Sequence, residues 1–557
     1  MSWRLFRNKA PQSFMLMVSQ RTRKTHRRAA ALRMMTWALV LLTQIAPVIA
    51  ADWPMSNHDP GNSRNQPAET TISPTNVGRL APVYTVTTSG DNWATPVVVG
   101  EAVYMPDASG KLWKFNRQSG AVIWSHSVSE YNGVANSAVR ASVVVTEGLV
   151  IFGDRSGANM IAIDETTGER RWITRLDEHP AAQVTGSPIV VGDRLYVGVS
   201  STEGSKFVKD RKAKSNFRGS LVALDSKSGQ IVWKTWTMPD NGGRLDSWSG
   251  GAVISVPGAN VEKGLVYFGT DHHYSQPESV TACLMAAPDD WNPDCYPAEA
   301  RFNAITAVDM ATGQPRWTFF GSGARVWEMA CGELPRVTYP FPLHGIGHAA
   351  DVRVCPPPND FLNWAFAAGS PQLYSATIGG RTREVVGIAQ KSGVYWAFDA
   401  GTGEVLWHTL VGPWSEPGGL TWGAAYDGQR LYVTLTNLEH VPHRLTSGQV
   451  VTGGSWAALD PATGKILWQT GDPQNAAAYA APVVANGVIY VGSMASSGDQ
   501  MYALDAATGK VLWRFAAGGS VATHPVVADG RVYWGAGFSL FGGTSSNKLY
   551  VFGLDGK

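Results

Sequence analysis

The chain is poor in cysteine and in charge. Its 557 residues include only four cysteines, Cys283, Cys295, Cys331 and Cys355. No Cys-x-x-Cys-His occurs, which excludes covalently attached c-type haem, and no four-cysteine zinc spacing occurs either. Charged residues are 16% of the total and the formal net charge is +2. That value hides an asymmetry, because residues 1–50 hold nine Lys/Arg and no Asp or Glu. Taking those nine from the 46 basic residues leaves 37 against 44 acidic ones, so the remainder sits near −7. A surface of that sign argues against nucleic acid as a partner. The apolar stretch 35–42 is too short to span a membrane comfortably, so stable membrane insertion is not expected.

What the chain has is glycine and a repeat. It carries 60 Gly and 44% apolar residues, the composition of a turn-rich β protein. The phrase Asp-x-x-(Thr/Ser)-Gly-x-x-x-Trp occurs at 164–172, 225–233, 309–317, 399–407, 460–468 and 505–513, with a degenerate copy, NRQSGAVIW, at 116–124. Apolar β phrases precede most copies, such as GLVYFGT at 264–270 and GVIYVGS at 487–493. β-branched and aromatic runs make strands. The Asp and Gly make a tight turn, Asp by bonding local backbone and Gly by accepting positive φ. A four-stranded unit of this kind cannot bury both faces alone, and radial stacking of such units gives a β-propeller.

Seven copies imply seven blades. The first segment beyond residue 50, from Asp52-Trp53-Pro54 to a strand at 82–86, has no turn-Trp phrase, and neither does the end of the chain, 514–557. The two ends are expected to share an eighth blade, giving an all-β, eight-bladed β-propeller closed by N- and C-terminal strands. The long intervals between motif tryptophans fall between Trp233 and Trp407, which places inserts around 270–300 and 327–365. All four cysteines lie there. Residues 1–50 read as a signal peptide, basic then apolar and ending in small residues, so the propeller is assigned to 51–557 and the protein to the periplasm. An uncleaved anchor is the competing reading. Export permits disulfides. Proximity favours Cys283–Cys295 and Cys331–Cys355, among three connectivities open to four cysteines.

The repeat resembles the tryptophan-docking motif of pyrroloquinoline quinone (PQQ) dehydrogenases. Residues 176–201, 217–225, 390–399 and 418–425 are similar to one branch of that family, the polyvinyl alcohol dehydrogenase-like quinoproteins without a cytochrome c domain. The resemblance implies PQQ at the ring axis beside Ca²⁺, an alcohol substrate, and an external electron acceptor such as cytochrome c. PQQ is a tricarboxylic ortho-quinone. Such a site needs cations for carboxylates, flat side chains about the ring, and a hard cation at a quinone oxygen. On the matching phrases, Arg140 is the expected carboxylate ligand, Thr185 a hydroxyl contact, Lys391 the basic residue near the quinone oxygens and Trp422 the inward aromatic. Glu203 and Asp271 are candidate metal ligands. Asp271, His272 and Asp360 are candidate bases. A strand-end arginine, a turn threonine, a core tryptophan and a solvated loop glutamate are the plain alternatives for Arg140, Thr185, Trp422 and Glu203.

The departures from the family pattern cluster. Where relatives read roughly Thr-Gly-Asp-Asn-Tyr-Ser, this chain reads Gly269-Thr270-Asp271-His272-His273-Tyr274-Ser275. Histidines suit zinc or copper, or a base, better than calcium. Adjacent histidines on a strand point to opposite faces, so at most one of the pair is expected to face the site unless the chain bulges there. An aromatic platform is replaced, with Ile254 in its place. Adjacent cysteines are replaced by Lys214-Ser215-Asn216, and Asn303 stands for an expected Asp. The readings that follow are a PQQ-dependent alcohol dehydrogenase, a cofactor-free binding or scaffold propeller, and a propeller enzyme using another metal through His272 or His273.

Overall fold

The computed structural model describes residues 51–203, 214–286, 293–321, 365–415 and 418–557. The ring lies within the unit Ala50–Lys557. Seven antiparallel four-stranded blades follow in chain order within 97–127, 144–175, 189–236, 258–320, 372–410, 425–471 and 483–515. The eighth takes Val526–Ala528, Arg531–Gly535 and Lys548–Leu554 from the end of the chain and Leu80–Thr87 from its start. The expected composite blade is therefore present, with Leu80 opposite Leu554 and Thr87 opposite Lys548.

Each repeat works as its residue types require. Asp505 Oδ1 accepts the backbone N–H of Ala507 and Thr508 at 3.1 and 2.9 Å, and the six other copies close the same turn. The motif tryptophan docks the next blade. Trp468 Nε1 donates to the carbonyl of Ala506, the residue after the next motif Asp, at 3.1 Å. Trp172, Trp233, Trp317 and Trp407 do the same to Ser226, Met310, Ala400 and Pro461. The ring of Trp468 lies flat over Gly509, where a Cβ would come within 2.5 Å of Cε3 and where φ is +71°. Glycine is thus required twice over, by conformation and by contact.

The composite blade has no motif tryptophan, and Tyr84 fills the role. Its hydroxyl donates to Arg117 O at 2.7 Å, the residue after Asn116, and its ring lies over Gly120 of the first blade. On the other side Trp513 Nε1 donates to Leu80 O at 2.9 Å. With Tyr84 and Trp513 the ring is joined across both edges of the shared blade.

Residues 53–66 run along the innermost strands of the blades, around the axis. Trp53 pairs with Val98, Pro54 O accepts from Val145, Pro60 O from Ala259, and Gly61 O from Leu373. Ser63 O accepts from Tyr426 and Arg64 O from Val484, while Gln66 Nε2 donates to Val527 O. One short segment therefore bonds seven of the eight blades. No periodic side-chain pattern produces it; its path is fixed by backbone pairing to inner strands and by buried side chains such as Asn62, which donates to Pro257 O and Pro371 O.

Of the expected inserts, the one in the fourth blade carries the helix Glu278–Ala286 and a 3-10 turn, Pro293–Cys295, joined by the Cys283–Cys295 disulfide. Residues 1–50, Asp360, and Cys331 with Cys355 lie outside the described residues. No helix among the described residues is long and apolar enough to cross a membrane.

Candidate active site

An axial cavity opens where the chain enters the inner strands. Its floor includes Ser56, Asn57 and Arg64 of the axial segment. Arg140, Thr185 and Trp422 line it, so three of the four expected cofactor contacts converge. Ile254 also lines it, which shows that the altered platform position does face the axis. Tyr479, Phe538, Trp93 and His524 complete the wall and were not singled out from the sequence.

Arg140 is half-buried, and its guanidinium carbon stands 5.0 Å over the Trp422 ring. That contact is a cation–π pair in a site partly shielded from water. Trp422 takes a left-handed backbone, φ +62°, between two glycine-rich turns, and its N–H donates to Ala368 O at 2.6 Å. Tyr479 meets the Trp422 ring edge-on at 5.5 Å. Burial pushes the Tyr479 phenol up, with Arg140 and Lys391 opposing the shift. Both cations therefore act on one cavity-lining hydroxyl. The Thr185 hydroxyl is engaged with Ser200 Oγ at 2.7 Å.

Lys391 Nζ sits 3.3 Å from Asp271 Oδ1, and His272 Nε2 lies 3.5 Å from the same oxygen. Burial works against the Asp271 carboxylate, yet Lys391 and His272 together hold it below its ordinary value. Burial lowers His272 to about 4, against the pull of Asp271, so its imidazole is neutral at pH 7. His273 faces the other way. Its ring packs on Phe302 at 4.2 Å and near Tyr296 at 6.4 Å, beneath the disulfide insert. Only His272 joins Asp271; it precedes the short strand His273–Ser275, so the separation of the pair comes from the loop entering that strand and not from alternation along it.

Arg64 is the most unusual group in the cavity. Its side chain is fully buried, donating to Ala424 O at 2.9 Å, to Ser370 Oγ at 3.4 Å and to Trp422 O. No carboxylate lies within ion-pair distance of it among the described residues, and its Nε has no partner. Burial lowers its pKa to about 9, partly offset by Tyr395 and Asp59. His524 bonds Ser56 O at 2.9 Å and Thr95 Oγ1 at 3.2 Å. Burial, then Arg64, lowers it to about 3.

The lining fits a planar polycarboxylate. Two guanidinium groups, neither paired with a carboxylate among the described residues, stand in one cavity with aromatic rings on one wall. The residues do not fit an oxygen cage for calcium. That ion takes six to eight oxygens, whereas Asp271 is already held by an ammonium and an imidazole. Glu203 accepts from Ser215 and lines a separate open pocket with His179 and Lys214. No group of three His, Cys, Asp or Glu is placed to hold a metal among the described residues.

The family model described as outer membrane protein assembly factor BamB, PQQ_2, matches residues 91–235, 132–272, 390–491 and 452–552. The chain is 28% identical over 395 residues to a polyvinylalcohol dehydrogenase of Pseudomonas sp., covering 68% of this chain and 54% of that protein. It is 29% identical over 390 residues to the polyvinylalcohol dehydrogenase of Sphingopyxis sp. (strain 113P3), covering 67% and 51%. The chain thus spans about half the length of the curated relatives it matches. The structure of quinohemoprotein alcohol dehydrogenase ADHIIG from Pseudomonas putida HK5 shares the fold, with a TM-score of 0.66 at 19% identity, covering 91% of this chain and 81% of that one. The repeat, the eight-bladed ring and a family match across more than half of its length agree: the chain belongs to the PQQ_2 repeat-propeller family.

Proposed function

We propose that this protein is a periplasmic PQQ-dependent alcohol dehydrogenase that passes electrons to an external acceptor. The observation that carries the reading is the convergence of Arg140 and Trp422 in the axial cavity, with Lys391, paired to Asp271, acting on the cavity-lining Tyr479. Similarity to the two polyvinylalcohol dehydrogenases and to ADHIIG supports it. When bound, the cofactor supplies an ortho-quinone that accepts hydride. Arg140 and Thr185 would contact it, Arg140 at a carboxylate, Trp422 and Tyr479 would flank it, and Lys391 would supply positive charge near the quinone oxygens.

Asp271 is the base in this reading. It is ionised at neutral pH, with the Lys391 ammonium holding its carboxylate below the ordinary value against burial. It would take the hydroxyl proton of the alcohol, so that the carbinol carbon can give up hydride to the bound quinone and become a carbonyl. His272, neutral and against Asp271, orients the carboxylate. No step is routed through calcium, since the donors around Asp271 do not suit it. Asp360, outside the described residues, stands as a further candidate base. The basic-then-apolar segment 1–50 favours export.

One observation favours a cofactor-free scaffold instead. The face of Trp422 is covered by Arg140, and the platform position is Ile254. Titration of metal-stripped protein with PQQ, with and without Ca²⁺, followed by tryptophan fluorescence, separates the two. Saturable quenching at one equivalent, with dye reduction by alcohols, supports the dehydrogenase. A folded protein that neither quenches nor reduces dye would sink it.

A further inference from the structure

We infer that Arg64, delivered to the cavity floor by the axial segment, is a ligand-binding residue that grips a carboxylate of the molecule held at the axis. The inference rests on the reading above that this ligand is a polycarboxylate, and it adds a residue that none of the matching phrases contains.

The argument begins with the cost of the arrangement. A guanidinium taken out of water without a counter-charge loses several kcal/mol of hydration, and proteins pair such groups or leave them at the surface. Arg64 is 1% exposed and still has no carboxylate within ion-pair distance among the described residues. The nearest acidic group acting on it is Asp59, and that carboxylate is already committed to His58 and to the Ser63 hydroxyl and N–H. Two carbonyls and one hydroxyl receive the terminal nitrogens, while Nε is left with no partner. Neutral acceptors only partly replace an anion, which is why its pKa falls to about 9. A purely structural tether for the Trp422 and Ala424 carbonyls needs only a neutral donor.

The surroundings are arranged for that cation. Gly423, at φ +99°, gives it room, for a Cβ there would come 2.7 Å from Nη1. His524 is held neutral nearby, so no second fixed charge competes with it on the floor. Arg140 stands over the Trp422 ring, and Arg64 donates to the carbonyl of the same residue. Both guanidinium groups are thus anchored on one tryptophan and line one cavity. A ligand with carboxylates at separated positions meets both, and its charge supplies what the floor lacks.

Arg64→Met tests the inference in the full chain, with Arg64→Lys as its conservative partner. Isothermal titration with PQQ, and separately with benzene-1,3,5-tricarboxylate, is run at low and moderate salt, with near-UV circular dichroism as a check on the fold. The expected result is binding about 10- to 100-fold weaker in R64M, with a shallower salt dependence, and a partial recovery in R64K. Equal binding by wild type and R64M overturns the role of Arg64 and leaves the dehydrogenase reading intact. Weaker binding with an unchanged salt dependence also overturns it, because that is the mark of a distorted pocket rather than a lost charge. Binding of the tricarboxylate but not PQQ, lost in R64M, upholds Arg64 and overturns the quinone. Binding of neither by wild type overturns both. If R64M does not fold, R64K carries the same test, with a several-fold loss expected from a fork replaced by a point charge.

Discussion

Replacing Tyr84 tests how the ring is closed. Tyr84 offers two separable contributions, a hydroxyl bonded to Arg117 O at 2.7 Å and a half-buried ring over Gly120. Tyr84→Phe removes only the hydrogen bond, a loss of about 1 kcal/mol. Tyr84→Ala removes the ring as well. A fully buried aromatic costs about 3–5 kcal/mol, so a half-buried one should bring the total to about 2–3 kcal/mol. Gly120→Ala attacks the same contact from the other side, since its Cβ would meet Tyr84 Cδ2 at 2.5 Å and φ is +71°. The two changes must therefore couple. In the double variant the steric part vanishes and only the backbone cost, about 1–2 kcal/mol, is left from the glycine change. Equilibrium unfolding in urea of the four proteins gives the cycle directly. A cost below about 0.5 kcal/mol for Tyr84→Ala, or strict additivity with Gly120→Ala, would refute Tyr84 as the eighth dock.

Other outcomes follow from the buried groups. His524 is about 3 in the folded state against an unfolded value near 6.5, so the unfolded chain binds the extra proton between those limits and stability falls as pH drops through that window. At pH 5 the cost is about 2 kcal/mol for this group, and His524→Asn should flatten the pH dependence of the urea midpoint. Lys391→Met removes the cation holding Asp271 down, so the acid limb of alcohol-dependent dye reduction should move to higher pH; an unmoved limb would mean that Asp271 is not the base. Reduction of Cys283–Cys295, a sequence separation of 12, should cost about 3 kcal/mol of chain entropy and loosen Tyr296 and Phe302 around His273, seen as faster proteolysis near residues 278–296.

The ring was legible because its information is local. Asp, Gly and Trp act at fixed spacing within one turn, so seven blades and the shared eighth could be counted from the sequence. The separation of His272 from His273 was expected from strand alternation, but His272 lies just before the strand His273–Ser275, where the entering loop sets its direction. Tyr84 was not legible, because it does a tryptophan's work with a different donor, on the strand Leu80–Thr87, where no turn phrase precedes it. Arg64 was harder still. It lies in a segment without periodicity, and it reaches the cavity only because residues 53–66 pair with inner strands hundreds of positions away. Tyr479 and His524 line the axis through the same non-local assembly. Asp271 and Lys391 are 120 residues apart, and that they form a pair depends on two blades meeting side by side.

The axial segment also sets an order of events during synthesis. Residues 53–66 leave the ribosome before any of the blades whose inner strands they bond, and the strand Leu80–Thr87 waits for Lys548–Leu554 before its blade exists. Until the last strand arrives, unpaired strand edges stand open and the cavity has a floor but no closed wall. Contacts of such long range make folding slow and expose incomplete chains to mispairing. Ring and ligand site are therefore completed together, when Lys548–Leu554 pairs with Leu80–Thr87.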